Sequence, residues 1–202
     1  MPRPKAARTT VKKTRSPDGE AGEYESPKLL IAVTIERDHV EGPSNAPLTL
    51  VEYGDYQCPY CGAAYPEVKK VQRELGSKLR FVFRNFPITS SHEFAEHAAE
   101  IAEAAGAQGK FWEMHDFLYE NQNLLSDDNR IFAYAGELGL DVQRLADEVM
   151  NSAYLNRIKE DFNGGIRSGV NGTPTFYING TRYDGPPTAR SILEALSSTK
   201  SV

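Results

Sequence analysis

The chain has 202 residues, with 23 Lys and Arg against 28 Asp and Glu for a formal charge of -5, a length that suits one generous domain or one domain plus a tail. The charge is unevenly placed: residues 1–17 hold six basic side chains (Arg3, Lys5, Arg8, Lys12, Lys13, Arg15) and no acidic one, so the remainder carries 17 basic against 28 acidic groups, or -11. An acidic body lacks the basic face that phosphate binding needs, which argues against nucleic acid as the main ligand. The longest apolar run, Leu29 to Val33, falls far short of the roughly 20 residues that cross a bilayer, so no transmembrane segment is expected.

Residues 1–27 contain almost no large apolar groups and cannot bury enough surface to offset ordering entropy, so they read as a disordered tail, basic and then acidic. No apolar stretch follows Lys12-Lys13 before Glu20, Glu23 and Glu25, as a signal peptide would require. The sequence therefore reads as cytoplasmic, with a periplasmic or extracellular location as the alternative. Residues 28–202 read as one domain.

Leu29 to Glu36 and Leu48 to Tyr53 are short β-prone runs, the second bounded by Gly42-Pro43-Ser44-Asn45 and by Gly54. After Cys58, Ala64, Val68, Val71 and Leu75 recur at helical spacing and Gly76 supplies a stop. Leu79 to Phe86 alternates, with Leu79, Phe81 and Phe83 on one face. This strand-helix-strand unit suits parallel pairing through a right-handed crossover. Ser90-x-x-Glu93 has the form of a capping box, and helical periodicity then continues through Phe94, Ile101, Met114, Leu118, Ile131, Leu145 and Ile158, predicting a block of about four helices over residues 90–165. Thr175 to Ile178 and Thr181 to Tyr183 flank Asn179-Gly180, a strong hairpin turn. Thr188 can cap a last helix with Ala189, Ile192, Leu193 and Leu196 turned inward.

The two cysteines, Cys58 and Cys61, are too few and too close for a disulfide framework and read as functional. They fall where a strand ends and a helix begins. Three residues apart on a first helical turn, their side chains share a face and can reach disulfide distance. Cys58 would stand exposed at or beside the N-cap, where unpaired N–H groups and the helix dipole favour a thiolate, and Pro59 suits the first helical position. Cys58 is thus the expected nucleophile that forms the mixed disulfide, and Cys61 the resolving thiol. The same C-x-x-C can be half of a zinc site, which needs two further ligands. Only His39, His92, His97 and His115 are available, and none forms an H-x₃-H pair; no metal is assigned.

The run Val51-Glu52-Tyr53-Gly54-Asp55-Tyr56-Gln57-Cys58-Pro59-Tyr60-Cys61-Gly62, with Gly169 to Phe176 downstream and Gly106 to Asp116 between them, resembles the DsbA-like branch of the thioredoxin superfamily over about residues 38–197. The resemblance implies an α/β, thioredoxin-like fold with a central mixed sheet and the helical block inserted within it. It further implies protein thiol-disulfide oxidoreductase activity with no organic or metal cofactor, because the dithiol carries the electrons. The implied partners are client proteins bearing thiols or disulfides and an unidentified electron donor or acceptor.

By position, Pro174 matches the proline that members hold in cis opposite the cysteines, and Thr173 before it would offer its backbone to an extended client. Pro59, Tyr60, Thr173 and Pro174 are accordingly the candidate substrate-binding residues. Glu52 matches the acidic group kept beneath the site; on an interior face its pKa would rise and it could exchange protons with Cys61. A solvated glutamate at a strand end is the alternative. Pro66 matches a helix kink, and Trp112 reads as core. Two other functions stay open: a binding module whose docking the cysteines regulate, and a zinc-binding sensor.

Overall fold

The computed structural model describes residues 26–199. The expected 1–27 tail therefore lies outside the described residues except for Ser26 and Pro27, and the Pro27 carbonyl accepts a hydrogen bond from the Arg182 amide at 2.8 Å.

Five strands form one mixed sheet in the order β1-β3-β2-β4-β5. β1 is His39–Glu41, β2 Leu48–Gly54, β3 Leu79–Asn85, β4 Thr175–Ile178 and β5 Thr181–Tyr183. β2 and β3 are parallel, with Leu50 opposite Phe81 and Glu52 opposite Phe83, and the other pairs are antiparallel. The parallel pair is joined by α1, Pro59–Leu75, which contains Pro66 and ends at Gly76 with φ of 50°. The hairpin between β4 and β5 turns on Asn179 and Gly180, both with positive φ (47° and 79°), the pair of left-handed residues that a type I′ turn needs.

Between β3 and β4 the chain forms α2 (Ala95–Gly106), α3 (Phe111–Glu120), α4 (Asp128–Glu137), α5 (Val142–Met150) and α6 (Leu155–Ser168), and α7 (Ala189–Ser198) closes the fold. Asp127, Asp141 and Thr188 cap α4, α5 and α7 with side-chain hydrogen bonds. One sheet face, bearing Leu50, Phe81, Phe83, Phe176 and Ile178, packs with buried residues of α1 to α3 and α7 into the main core. Val51, Tyr53, Val82 and Tyr177 point the other way, toward Phe86, Val170 and Phe162. β2 is buried on both faces, so its side chains include nearly continuous apolar groups instead of an apolar-polar alternation.

Two local expectations fail. Leu29 to Glu36 is not a strand: among its neighbours only Lys28 makes an isolated bridge, to Thr181. Its carbonyls are taken by a buried arginine instead, with Arg84 donating to Ile31 O at 3.0 Å and Ala32 O at 3.3 Å while also gripping Asp38 and the Tyr53 hydroxyl. Nor does Ser90-x-x-Glu93 open a helix. α2 begins at Ala95 with Phe94 as its uncapped N-cap, because the preceding loop is tied to the β2–α1 turn: Phe94 N–H donates to Gln57 Oε1 at 2.7 Å and Ile88 N–H to Asp55 Oδ2 at 2.8 Å.

Candidate active site

β2 runs through the middle of the sheet and delivers the chain, after Gly54, to a turn whose backbone is fixed by Asp55. This fully buried carboxylate accepts from the amides of Gln57 (2.8 Å), Cys58 (3.1 Å) and Ile88 (2.8 Å) and is paired with His92 Nδ1 at 2.8 Å. The turn leaves Cys58 as N-cap of α1 with extended backbone and Pro59 as the first helical residue. Gln122, in a short 3₁₀ turn after α3, donates to the carbonyls of Tyr56 (2.7 Å) and Cys58 (3.0 Å), and the space it occupies is left by Gly62, where a methyl group would collide with its amide.

Both cysteines are free thiols. Cys58 stands at the helix tip as expected, yet it is not exposed: only 3% of its surface is accessible. The loop before β4 covers it, with Cys58 Sγ donating to the Thr173 carbonyl at 3.4 Å. The Thr173–Pro174 bond is cis. Pro59 and Tyr60 lie outward, Tyr60 with 74% of its surface free, so the candidate client-facing residues do gather around one sulfur.

The two thiols are electrostatically unequal. The Cys61 side-chain hydrogen bond is the largest influence on Cys58; together with the Thr173 side chain and the amides of Cys61 and Tyr60, it brings the thiol down to about 5 against the opposing effect of burial. Cys61 is fully buried, and burial, its hydrogen bond to Cys58 and the charges of Glu52 and Cys58 push it well up. Glu52 shares the β2 face of Leu50, opposite Phe83 and Phe176. It is 2% exposed, its Oε1 has no hydrogen-bond partner, and burial together with the charge of Cys58 raises its carboxyl to about 8. The solvated alternative for Glu52 is thereby overturned.

Beneath the cysteines lies a set of buried aromatic and polar rings, Tyr56 from the turn, His115 and Tyr119 from α3, and Phe83 from β3. Tyr56 hydroxyl and His115 Nδ1 are 3.1 Å apart, and burial holds His115 well below its ordinary value and therefore neutral. Trp112 packs against Phe81 and donates to the Val40 carbonyl, as core. The histidines are otherwise engaged: His39 with Glu103, His92 with Asp55 and His97 with Asp128. Among the described residues no group of three or more His, Cys, Asp or Glu gathers to hold a metal ion. Asp55, Gln122 and Tyr119 were not foreseen. Only Asp55 had a local signal, an Asx turn two residues long immediately before the cysteine.

A family model described as Thioredoxin matches residues 34–198. The chain belongs to this thioredoxin family. Among solved structures it is similar to oxidised BdbD from Bacillus subtilis, with a TM-score of 0.73 at 22% identity over 86% of this chain and 96% of that one. It is also similar to alpha-DsbA1 from Wolbachia pipientis, with a TM-score of 0.70 at 18% identity over 84% and 92% of the two chains. A thioredoxin-like oxidoreductase from Silicibacter pomeroyi gives 0.66 at 27% identity over 80% and 91%. By sequence the chain is 44% identical over 170 residues to a Salinispora arenicola protein named Na(+)/H(+) antiporter NhaA 1, and that stretch is 84% of this chain but 26% of the relative. A Herminiimonas arsenicoxydans protein named Na(+)/H(+) antiporter NhaA is 38% identical over 168 residues, 83% of this chain and 26% of that relative. The chain thus spans about a quarter of the length of these curated relatives.

Proposed function

We propose that this protein is a thiol-disulfide oxidoreductase that acts on cysteines of other proteins and works in the oxidising direction. The observation that carries the reading is the pairing at the start of α1 of an N-cap cysteine with a second cysteine one turn inside, under the Thr173 carbonyl. In the oxidised state a client thiolate attacks Cys58 Sγ, the Cys58–Cys61 bond breaks, and Cys61 leaves with the electron pair. Glu52 supplies the proton that Cys61 then takes. A second client thiolate attacks the client sulfur of the mixed disulfide and expels Cys58 as a thiolate. The client gains a disulfide and the protein is left as the dithiol. A thiol held down to about 5 is a good leaving group and stabilises the reduced form, which makes a dithiol pair oxidising.

Direction bears on location. An oxidant is useful where disulfides persist, so this reading favours an oxidising compartment over the cytoplasm. The stretch shared with proteins named Na(+)/H(+) antiporters supports a client or electron partner among membrane transport proteins.

Replacing Cys58 with Ser is expected to abolish both oxidation of a dithiol peptide and insulin reduction, while Cys61→Ala traps mixed disulfides that mass spectrometry identifies. Undiminished turnover by Cys58→Ser overturns the assignment. Stoichiometric, redox-sensitive association without turnover would instead identify a binding module. Metal retained by protein purified without chelator would identify a zinc sensor.

A further inference from the structure

Two side-chain oxygens beneath the dithiol are buried without a partner: Glu52 Oε1 and the Tyr119 hydroxyl. They come from different elements, Glu52 from the middle strand and Tyr119 from the last turn of α3. Gly54 brings them together. It follows Glu52 by two residues, so its missing side chain belongs to the same face of β2, about 7 Å along the strand. A methyl group at Gly54 would lie 2.7 Å from the Tyr119 hydroxyl and collide with the Phe83 ring. The hydroxyl therefore fills the place that a side chain at Gly54 would occupy, on the face of β2 that also carries Glu52. A single water making two ordinary hydrogen bonds bridges polar groups about 5 to 6 Å apart. An unpaired buried donor and an unpaired buried acceptor over one face of β2 are costly twice over, and one shared water relieves both.

We propose that Tyr119 is a positioning residue for proton transfer at Cys61, its hydroxyl holding with Glu52 a buried water and donating through it to the Glu52 carboxylate. This rests on the oxidoreductase reading above. In the resolving step Cys61 attacks Cys58 of the mixed disulfide. The Cys61 S–H bond breaks and its electron pair makes the Cys58–Cys61 bond, while the proton passes to Glu52. The bond from Cys58 to the outside thiol breaks, and that thiol departs with the pair. Tyr119 neither gains nor loses a proton overall; it orients the acceptor and favours its charged form.

The surrounding groups sense one another. Burial first, then the charges of Cys61, Glu52, Tyr56 and Asp55, push the Tyr119 hydroxyl well up, so it stays a donor. The titratable groups around Glu52 are Cys58 and Cys61 from α1, Asp55 and Tyr56 from the turn, and Tyr119 and His115 from α3, with Glu103 of α2 acting on Tyr56. His115 is held neutral, leaving Glu52 as the group of this set that titrates near pH 8.

The test is Tyr119→Phe, which keeps the ring contacts with Tyr56, Tyr65 and Phe83 and removes the hydroxyl alone. The resolving step is followed in a single turnover from the Cys58 mixed disulfide with glutathione, across pH. In the unaltered protein its rate rises as Glu52 ionises, at a pH that burial keeps above the ordinary carboxylate range. In Tyr119→Phe the carboxylate loses a donor, the rise moves up by about one unit, and the rate at pH 7 falls about tenfold. Infrared difference spectra should show the protonated Glu52 carboxyl band shifted, while the Cys58 titration stays near 5. A pH profile and band that match the unaltered protein overturn the proposal. Glu52→Gln separates the layers. If it slows resolution and flattens the profile while Tyr119→Phe changes nothing, Glu52 accepts the proton unaided; if Glu52→Gln itself is silent, the proton path through Glu52 is wrong. Loss of all exchange in Cys58→Ser remains the check on the oxidoreductase reading itself.

Discussion

Lowering the pH through 5 should change how the Cys58–Cys61 couple holds its electrons. With Cys58 near 5 in place of the ordinary 9.0, the thiolate population of the dithiol at pH 7 rises about a hundredfold, worth roughly 3 kcal/mol to the reduced fold. For a two-electron couple that is about 60 mV toward the oxidising side. Above pH 5 reduction takes up one proton, at Cys61, and the potential falls about 30 mV per pH unit; below it both sulfurs are protonated and the slope doubles to about 60 mV. Since the folded value lies below the unfolded one, the extra stability of the reduced protein is complete above 9.0 and disappears as pH falls through about 5. The assay is equilibrium with glutathione at fixed pH values, with thiols counted after alkylation. A single two-proton slope through pH 7 would mean that Cys58 is an ordinary thiol, and the oxidant reading would fall with it.

Removing the Cys61 thiol takes away the largest influence holding Cys58 down, so in Cys61→Ala the Cys58 thiolate absorbance should titrate about one to two units higher. Glu52 shifts the other way: its folded value of about 8 exceeds the ordinary 4.5, so it costs stability as pH rises from 4.5 to 8, roughly 3 kcal/mol at pH 7. Glu52→Gln should therefore raise the urea midpoint at pH 7 and leave it unchanged near pH 4, while slowing turnover. Asp38→Ala strips the fully buried Arg84 of its carboxylate and should cost about 3–5 kcal/mol in the same denaturation experiment, whereas replacing Arg84 and Asp38 together with apolar residues should cost less.

The elements that could be read in advance are those governed by local pattern. β2, α1 and β3 follow from apolar spacing with Gly76 as punctuation, and the hairpin from Asn179-Gly180, because these signals act over a few residues. Leu29 to Glu36 misled because its apolar groups suit a strand, and nothing in the pattern reveals an arginine 50 residues away satisfying its carbonyls. The false capping box at Ser90 has the same origin: Asp55 and Gln57 claim the loop before the helix can begin. At the site, Cys58 and Cys61 were legible as a motif at a strand-to-helix junction, and Pro174 and Glu52 through the family resemblance. Gln122 and Tyr119 were not, since each reaches the dithiol from the helical block more than 50 residues away in sequence and carries no local mark.

The near-complete enclosure of Cys58 has a chemical benefit separate from exchange with clients. A thiolate at neutral pH is open to peroxide, and oxidation past sulfenic acid is irreversible for most proteins. With 3% of Cys58 accessible and Cys61 hydrogen-bonded to it from one turn away, a sulfenic acid formed there condenses with Cys61, releasing water and giving the same disulfide that exchange chemistry uses. The geometry that makes the sulfur reactive thus returns accidental damage to the working cycle.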